Sequence, residues 1–557
     1  MVWNIFFMFG GVAAMMLGMK IMGSGLEKFA GGKMKTLLGK ATSNRFAGVG
    51  VGIAVTSIIQ SSTATTVMLV GFVNIGLLTL TQATSVIMGA NIGTTITAHI
   101  VSLSGVGEID IGAIAAMIGC IGMLTAMLVK NEKIATIGNI IAGLGVLFVG
   151  LEFISTYAKK VMFLPDATGA LTIPQHFVQA IFQNQNIFPL LLVLIGIVIT
   201  ALVHSSSTIT SLMVVLASIG VLPFKNALFL ALGSNIGTCI TSIMSSAGTS
   251  TNAKRTAVVH LAFNLFGCLI TIAPIWIWSQ QITNFFASIS NDVGQQIAIF
   301  HTMFNVITTI ILLPFANLIV KLVCKIIPDK KVQVEEKYKF QFIDERLLET
   351  PPIAASNTKK EIMRMAELAK ENMNLSIEML LNTNVDRSEK IRDNEDVINH
   401  LNKNITAFLT KLTSKDLSKE NDKKIGSYYH VVSDVERVGD YAENIMEYAF
   451  RLRDEQMAIS DNAKEELLQV TSLLNDLYQK VVIAFDERDT SLLPEVAVIE
   501  EKIDDLSKEL ELRHIERVKQ GACTAQTGSI YLQTVSNLER VGDHITNIAF
   551  SIKQYAA

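Results

Sequence analysis

Between Phe46 and Gly107 the chain carries no Asp, Glu, Lys or Arg, and further charge-free stretches run from Ala167 to Phe224, Thr256 to Asn291 and Val293 to Val320. A water-soluble helical core does not leave such lengths uncharged. A membrane-crossing helix needs about 20 apolar residues, so the stretches allow about nine or ten spans or half-spans. Charge is divided to match: residues 1–334 hold 25 charged side chains and residues 335–557 hold 70. The first part is basic (17 Lys and Arg against 8 Asp and Glu) and the second acidic (29 against 41). That division excludes a nucleic-acid-binding surface and places the basic residues on the inner face of a membrane. The start of the chain lacks a basic n-region, and its apolar run from Trp3 to Leu26 is long enough to span, so it reads as a membrane helix and not a cleaved signal. Five scattered cysteines give no disulfide framework and no metal-site spacing.

The apolar part is duplicated. Gly52–Ala98 aligns with Gly196–Ser242 at a constant offset of 144, with 18 of 47 positions identical. The identities fall on small polar residues: Thr56, Ser61, Ser62 and Thr66 against Thr200, Ser205, Ser206 and Thr210, then Gly89-x-Asn91-Ile92-Gly93-Thr94 against Gly233-x-Asn235-Ile236-Gly237-Thr238. The preceding helices match loosely, Leu17-Gly18 with Leu144-Gly145. Lys28, Lys33, Lys35, Lys40 and Arg45 follow the first leading helix, whereas residues 161–195 after the second carry only Asp166. This asymmetry predicts copies of inverted topology, a plan in which broken helices meet near the midplane.

Gln60-Ser61-Ser62-Thr63 and His204-Ser205-Ser206-Ser207 are the expected substrate site. Hydroxyl clusters in an uncharged run suit a helix break or hairpin, and a helix N-terminus there offers free N–H groups to an oxyanion. Thr65, Thr66, Asn91, Thr94, Thr208, Thr210, Asn235 and Thr238 supply the oxygens expected to hold Na⁺, the two asparagines at further helix breaks between glycines. The motif-bearing helices contain neither a cation to neutralise an anion nor a carboxylate to hold Na⁺ alone. Each ion therefore lowers the cost of burying the other, which is the energetic basis of symport. His260-x-x-Phe263-Asn264 and His301-x-x-Phe304-Asn305 form a second motif pair, with His and Asn on one helical face.

In this combination and order the motifs resemble the type II sodium–phosphate cotransporter family, in its bacterial form with an appended PhoU-like domain. The resemblance implies Na⁺-driven movement of inorganic phosphate through a lipid bilayer, with the serine motifs at the substrate site. His204 stands where the family's second motif commonly has Gln. The tail repeats too: Glu436-Arg437-Val438-Gly439-Asp440 matches Glu539-Arg540-Val541-Gly542-Asp543, and Glu395-x-x-Ile398-Asn399 matches Glu500-x-x-Ile503-Asp504. The repeated E-R-x-G-D resembles PhoU proteins, which implies a regulatory role, and Glu436, Asp440, Glu539 and Asp543 as positions for a transition-metal cluster. On a helix such i, i+4 carboxylates can share a cation or pair with the neighbouring arginines.

The expected fold is thus all-α. A polytopic transporter domain covers 1–330 (repeats about 5–130 and 134–326), a linker 331–355, and a soluble six-helix domain of two three-helix bundles 356–557. The expected location is the inner cell membrane with a cytoplasmic C-terminal domain, which could serve a homodimer or a regulatory partner. No Gly-rich phosphate loop or nucleophile triad is present, so neither ATP drive nor enzymatic activity is expected. Carriage of another oxyanion, phosphate export, and phosphate sensing without flux are the alternatives.

Overall fold

The computed structural model describes residues 2–40, 44–103, 111–163, 175–176, 178–184, 188–329, 338–383, 385–415, 417 and 419–554; of 31–40, 111, 179 and 554 it describes the backbone alone. It divides into two compact units, residues 1–331 and 332–557. Both are helical, with no strand among the described residues.

The first unit contains α1 (Val2–Lys40), α2 (Arg45–Ile59), α3 (Ser62–Asn74), α4 (Leu80–Ser102), α5 (Ile111–Leu128), α6 (Glu132–Phe163), α7 (Pro189–Val203), α8 (Ser206–Ser218), α9 (Phe224–Ser245), α10 (Thr251–Ile277), α11 (Ser279–Ile289), α12 (Val293–Leu312) and α13 (Ala316–Ile326). Five helices are long and apolar enough to cross a membrane, and five shorter apolar ones include α2, α3, α7 and α8. The offset of 144 survives in three dimensions: α2, α3 and α4 begin 144 residues before α7, α8 and α9.

Inversion is visible where the two leading helices meet. A Cβ built on Gly11 would lie 2.8 Å from the Gly150 carbonyl, one on Gly150 2.7 Å from the Gly11 carbonyl, and Gly18 and Gly143 exchange the same contact at 2.6 and 2.8 Å. Positions rise along α1 as they fall along α6, so the equivalent helices run antiparallel through a glycine seam. The pairing sets their true offset at 132, Gly11 with Gly143 and Gly18 with Gly150, which corrects the alignment of Leu17-Gly18 with Leu144-Gly145. The sequence match had paired Gly18 with Gly145, but Gly145 packs on Gly119 of α5 and it is Gly143 that meets Gly18 across the seam.

Helix α2 lies parallel to α4, and α7 to α9. Gly93 meets the Ile53 carbonyl and Gly237 the Ile197 carbonyl, both at 2.7 Å, and Cβ atoms on Gly89 and Gly233 would overlap the carbonyls of Val49 and Val193. The Gly-x-Asn-Ile-Gly motifs are therefore close-packing surfaces within unbroken helices. The expectation that Asn91 and Asn235 mark helix breaks is overturned, because α4 and α9 run continuously through them.

The second unit has α14 (Pro351–Leu381), α15 (Ser388–Thr413), α16 (Lys419–Asp454), α17 (Asp461–Glu487), α18 (Leu493–Lys519) and α19 (Ala525–Phe550). Helices α14–α16 and α17–α19 form two three-helix bundles, joined where α16 packs on α19. The tail begins earlier than expected. The amides of Gln341 and Phe342 donate to Glu361 Oε2 at 2.9 and 2.7 Å, and α14 starts at Pro351, so residues 341–355 belong to the folded unit and are not linker.

Candidate functional site: twin helix breaks

Each serine motif interrupts a helix in the same way. Helix α2 ends at Gln60, with φ 58° and ψ 20°, and α7 ends at His204, with φ 56° and ψ 22°. Two non-glycine residues thus take the left-handed region at equivalent places, each as the C-cap of its helix. The next residue caps the following helix: Ser61 Oγ accepts from the Ala64 amide at 3.1 Å and Ser205 Oγ from the Thr208 amide at 3.2 Å. Thr56 donates to Thr65 Oγ1 at 3.1 Å, joining residues one turn before and after the break, so α2 and α3 fold back as a hairpin. At 15 and 13 residues the arms are about 20 Å long, short of an apolar core of about 30 Å. Each arm is thus too short to cross a bilayer by itself.

The tips are tied down symmetrically. Thr97 Oγ1 donates to Gln60 Oε1 at 2.9 Å, and His204 Nδ1 lies 3.0 Å from Thr241 Oγ1. Thr97 and Thr241 are again 144 apart, so the imidazole takes over the amide's partner. Gln60 also donates to the Ser57 carbonyl. Beyond the first break, α3 leans on the other repeat: Thr66 Oγ1 and Ser242 Oγ lie 2.8 Å apart, and Ser242 is 3.2 Å from His260 Nδ1. Thr241 and Ser242 are neighbours on α9, so one turn of that helix holds the second tip and also α3 one turn beyond the first. In the other half Ala98 occupies the position of Ser242, and the buried Thr210 hydroxyl has no hydrogen-bond partner among the described residues.

The hydroxyls divide by what their protons do. Those of Thr65, Thr66, Thr94 and Thr238 donate to carbonyls of their own helices, at Ser61, Ser62, Ala90 and Ser234. Each oxygen keeps its lone pairs to accept with: Thr56 takes one on Thr65 and Ser242 one on Thr66, and those that remain suit a cation. Thr208 is spent on Ser205 at 2.8 Å. The side chains of Ser62, Thr63, Ser206 and Ser207 make no hydrogen bond among the described residues. They sit in the first turns of α3 and α8, where backbone amides also lack intrahelical acceptors, so these are the groups able to donate to an anion.

Asn91 and Asn235 are not equivalent. Asn91 donates its amide to the Ile87 carbonyl at 2.9 Å. Asn235 belongs to a closed ring: His301 Nε2 bonds its Oδ1 at 3.0 Å, its Nδ2 donates to Asn305 Oδ1 at 3.2 Å, and Asn305 Nδ2 donates to the His301 carbonyl at 2.9 Å. The other H-x-x-F-N element grips the same helix one to two turns on, His260 at Ser242 and Asn264 Nδ2 at Cys239 Sγ, 3.3 Å away. Both elements thus fasten α10 and α12 to α9. Thr97, Thr241 and Ser242 were missed by sequence reasoning, although the repeat alignment contained Thr97 and Thr241 as an identical pair.

In the tail, Glu436 and Asp440 face Glu395 of α15. Burial, then the charges of Asp440, Glu443 and Glu436, push the Glu395 carboxyl up to about 8. Oxygens of Glu500 and Asp504 on α18 and Asp543 on α19 lie within 4.8 Å of one another. Burial and neighbouring carboxylates also raise Glu500, Glu539 and Asp543. Glu395 Oε2 and Asp504 Oδ1 are buried without a hydrogen-bond partner among the described residues. An oxygen-only donor set of this kind fits a hard cation. Of the four expected ligands, Asp440 is also paired with Arg437 at 3.4 Å. Glu395, Glu500 and Asp504 complete the clusters; their signal was the matched upstream repeat.

The family model for Na⁺/Pi-cotransporters matches residues 14–156 and 170–310, and that for the PhoU domain matches 362–449 and 467–552. YjbB of Salmonella typhimurium, provisionally named as an inorganic phosphate export protein, is 23% identical over 543 residues, covering 97% of this chain and 96% of its own. YqeW of Bacillus subtilis is 31% identical over 313 residues, 56% of this chain and 95% of its own. The rabbit sodium-dependent phosphate transport protein 2A is 37% identical over 100 residues, 16% of each chain. The twin breaks thus lie within the matched region, and the chain belongs to the Na⁺/Pi-cotransporter family, as a multi-pass membrane transporter with a C-terminal PhoU domain.

Proposed function

We propose that the chain couples Na⁺ to the movement of inorganic phosphate across the inner membrane, with phosphate held between the hairpin tips. The observation that carries this reading is the division of the hydroxyls. Ser62, Thr63, Ser206 and Ser207, with the first-turn amides of α3 and α8, donate to phosphate, while Gln60, Ser61, His204 and Ser205 shape the breaks. Thr65, Thr66, Thr94, Thr210 and Thr238, with Asn91, form the oxygen environment for Na⁺, and Thr208, bonded to Ser205, helps shape the second break. Asn235 has a positioning role instead, its amide being consumed by the ring with His301 and Asn305. Helices α3, α4, α7 and α8 carry no Lys, Arg, Asp or Glu, so neither ion is neutralised by the protein and each favours the other's entry. The PhoU domain is cytoplasmic and regulatory, and its carboxylate clusters hold divalent cations.

The test is ³²P-phosphate uptake into proteoliposomes under an inward Na⁺ gradient. Ser62→Ala and Ser206→Ala each remove a hydrogen bond to a charged ligand and should weaken phosphate affinity about 10- to 100-fold. Uptake as fast and as concentrative with K⁺ replacing Na⁺ would overturn the symport reading. The name carried by YjbB favours a second reading, export. Oriented vesicles separate the two: an exporter empties phosphate-loaded right-side-out vesicles and does not fill them.

A further inference from the structure

One helix of the first unit is fastened both to the first hairpin and to the segment from which the chain leaves for the tail. Helix α10 holds α3 at three points. The Ser250 amide, at the N-cap of α10, donates to Asn74 Oδ1 at 2.8 Å. Val70 is buried together with Ala253 and Ala257. His260 reaches Thr66 through Ser242. The ties thus run from the last residue of α3 to one turn from the break that carries Ser62 and Thr63. The second hairpin is supported differently: α8 packs on α4, α9 and α12, and Thr210, the equivalent of Thr66, has no hydrogen-bond partner among the described residues.

Arg255 stands two residues from each of those alanines, about 200° around the helix, and so on its opposite face. It is only 5% exposed. Its Nε donates to the Ile327 carbonyl at 2.9 Å, and its Nη1 donates to Asn252 Oδ1 at 2.8 Å and lies 2.9 Å from Asp329 Oδ1. Ile327 is the C-cap of α13, where carbonyls without intrahelical partners favour a cation. Water satisfies an exposed helix end equally well, so α13 does not need a buried guanidinium in order to stop. What the arginine adds is a joint between α10 and the exit of the chain. Beyond Asp329 the next described residue is Tyr338, already in the tail, so a movement of the tail reaches the first unit at the residues Arg255 grips.

We propose that Arg255 is a positioning residue for the first hairpin: α10 carries the state of the tail from Ile327 and Asp329 to Asn74, Val70 and Thr66, and so sets the rate at which the first break presents Ser62 and Thr63 to phosphate. This rests on the regulatory reading of the PhoU domain given above. The joint depends on the planar arginine fork, because a lysine ammonium is a single point of charge and does not span the Ile327 carbonyl, Asn252 and Asp329 together.

The full chain is reconstituted in right-side-out vesicles loaded either with millimolar Mn²⁺ or with chelator. Initial ³²P-phosphate uptake is measured, and amide exchange along α3 is followed in parallel by mass spectrometry. In the wild type, Mn²⁺ should change the rate about fivefold or more and shift exchange in α3 but not in α8. Glu500→Gln with Asp504→Asn should abolish both responses, which assigns the signal to the tail. Arg255→Gln should keep the uptake seen in chelator and lose both responses. Arg255→Lys, which keeps the charge but not the fork, takes its place with the same expected outcome if the glutamine variant unfolds in a thermal scan. Responses as large in the Arg255 variants as in the wild type overturn the proposal alone, and so does loss of uptake in chelator, which would make the arginine merely structural. A wild type indifferent to Mn²⁺ in both readouts overturns the regulatory reading, and the proposal with it.

Discussion

Among individual residues, the consequential exchange is Gln60 for His204, and geometry makes it conservative. Each side chain sits at a left-handed break and bonds the threonine 37 residues later. His204→Gln should therefore keep Na⁺-dependent uptake within about twofold, because no hydrogen bond is lost. Thr241→Val should cost about 1 kcal/mol of tip ordering, a roughly fivefold rise in the phosphate KM. Uptake assays on the two variants check the pair; loss with His204→Gln and tolerance of Thr241→Val would reverse the roles. The asymmetry lies instead at Asn91 and Asn235. Sequence could not display it, because the residue that differs is not the asparagine but the ring brought to it from α12, about 70 positions away.

Among elements, the glycines decide. The serine motifs were legible as breaks because hydroxyls cluster there so densely, and twice, 144 residues apart in uncharged runs. The Gly-x-Asn-Ile-Gly motifs were misread, because glycine serves a break and a close approach equally and only the partner helix distinguishes them. Gly89→Ala or Gly233→Ala puts a methyl into a carbonyl of the facing helix, and overpacking of this kind costs about 1–3 kcal/mol where side chains can yield. Here backbone must move, so thermal unfolding in detergent should fall by more than that amount implies. Gly50→Ala, with open space around its Cβ, should leave the transition unchanged. The antiparallel register of α1 and α6 was likewise hidden, since the four glycines that set it lie apart in sequence and the match fell on Gly145 instead of Gly143. In the tail, Glu395 and Glu500 were visible as repeat matches, but their joining to Glu436 and Asp543 needed the bundle.

For the molecule as a whole, the two units answer to different solvents and should respond differently to pH. Glu395 titrates in the folded tail at about 8 against an ordinary 4.5, a raised carboxylate. Its ionisation opposes folding, so the tail is most stable below about pH 4.5 as far as this group is concerned. Stability falls as pH rises from 4.5 to 8, by at most about 1.4 kcal/mol per unit. A chelator-treated full chain should show a tail transition that drops between pH 5 and 8. Glu395→Gln should flatten the slope, and millimolar Mg²⁺ or Mn²⁺ should offset it by compensating the charge. A slope of the opposite sign would mean that the carboxylates are stabilised as anions by the protein itself. Glu466 runs the other way. Burial acts to raise it, but hydrogen bonds from Arg517 and Tyr531 outweigh that and hold it below its ordinary value, so its contribution is lost as the pH falls below 4.5.

The bond between Thr66 and Ser242 also bears on how such a chain is made. The two residues are separated by 176 positions, so α3 leaves the ribosome long before its partner exists. At about 5–20 residues per second the interval is about 10–35 s. For that time the first hairpin sits in the bilayer with its polar second arm uncovered, and neither repeat is a self-sufficient folding unit. Residues 1–130 expressed alone should be unstable in the membrane and degraded, and should be rescued by co-expression of the remainder in trans. A direct duplication gave two copies that align in the same chain direction, yet the product reaches its final form only when each copy covers the other.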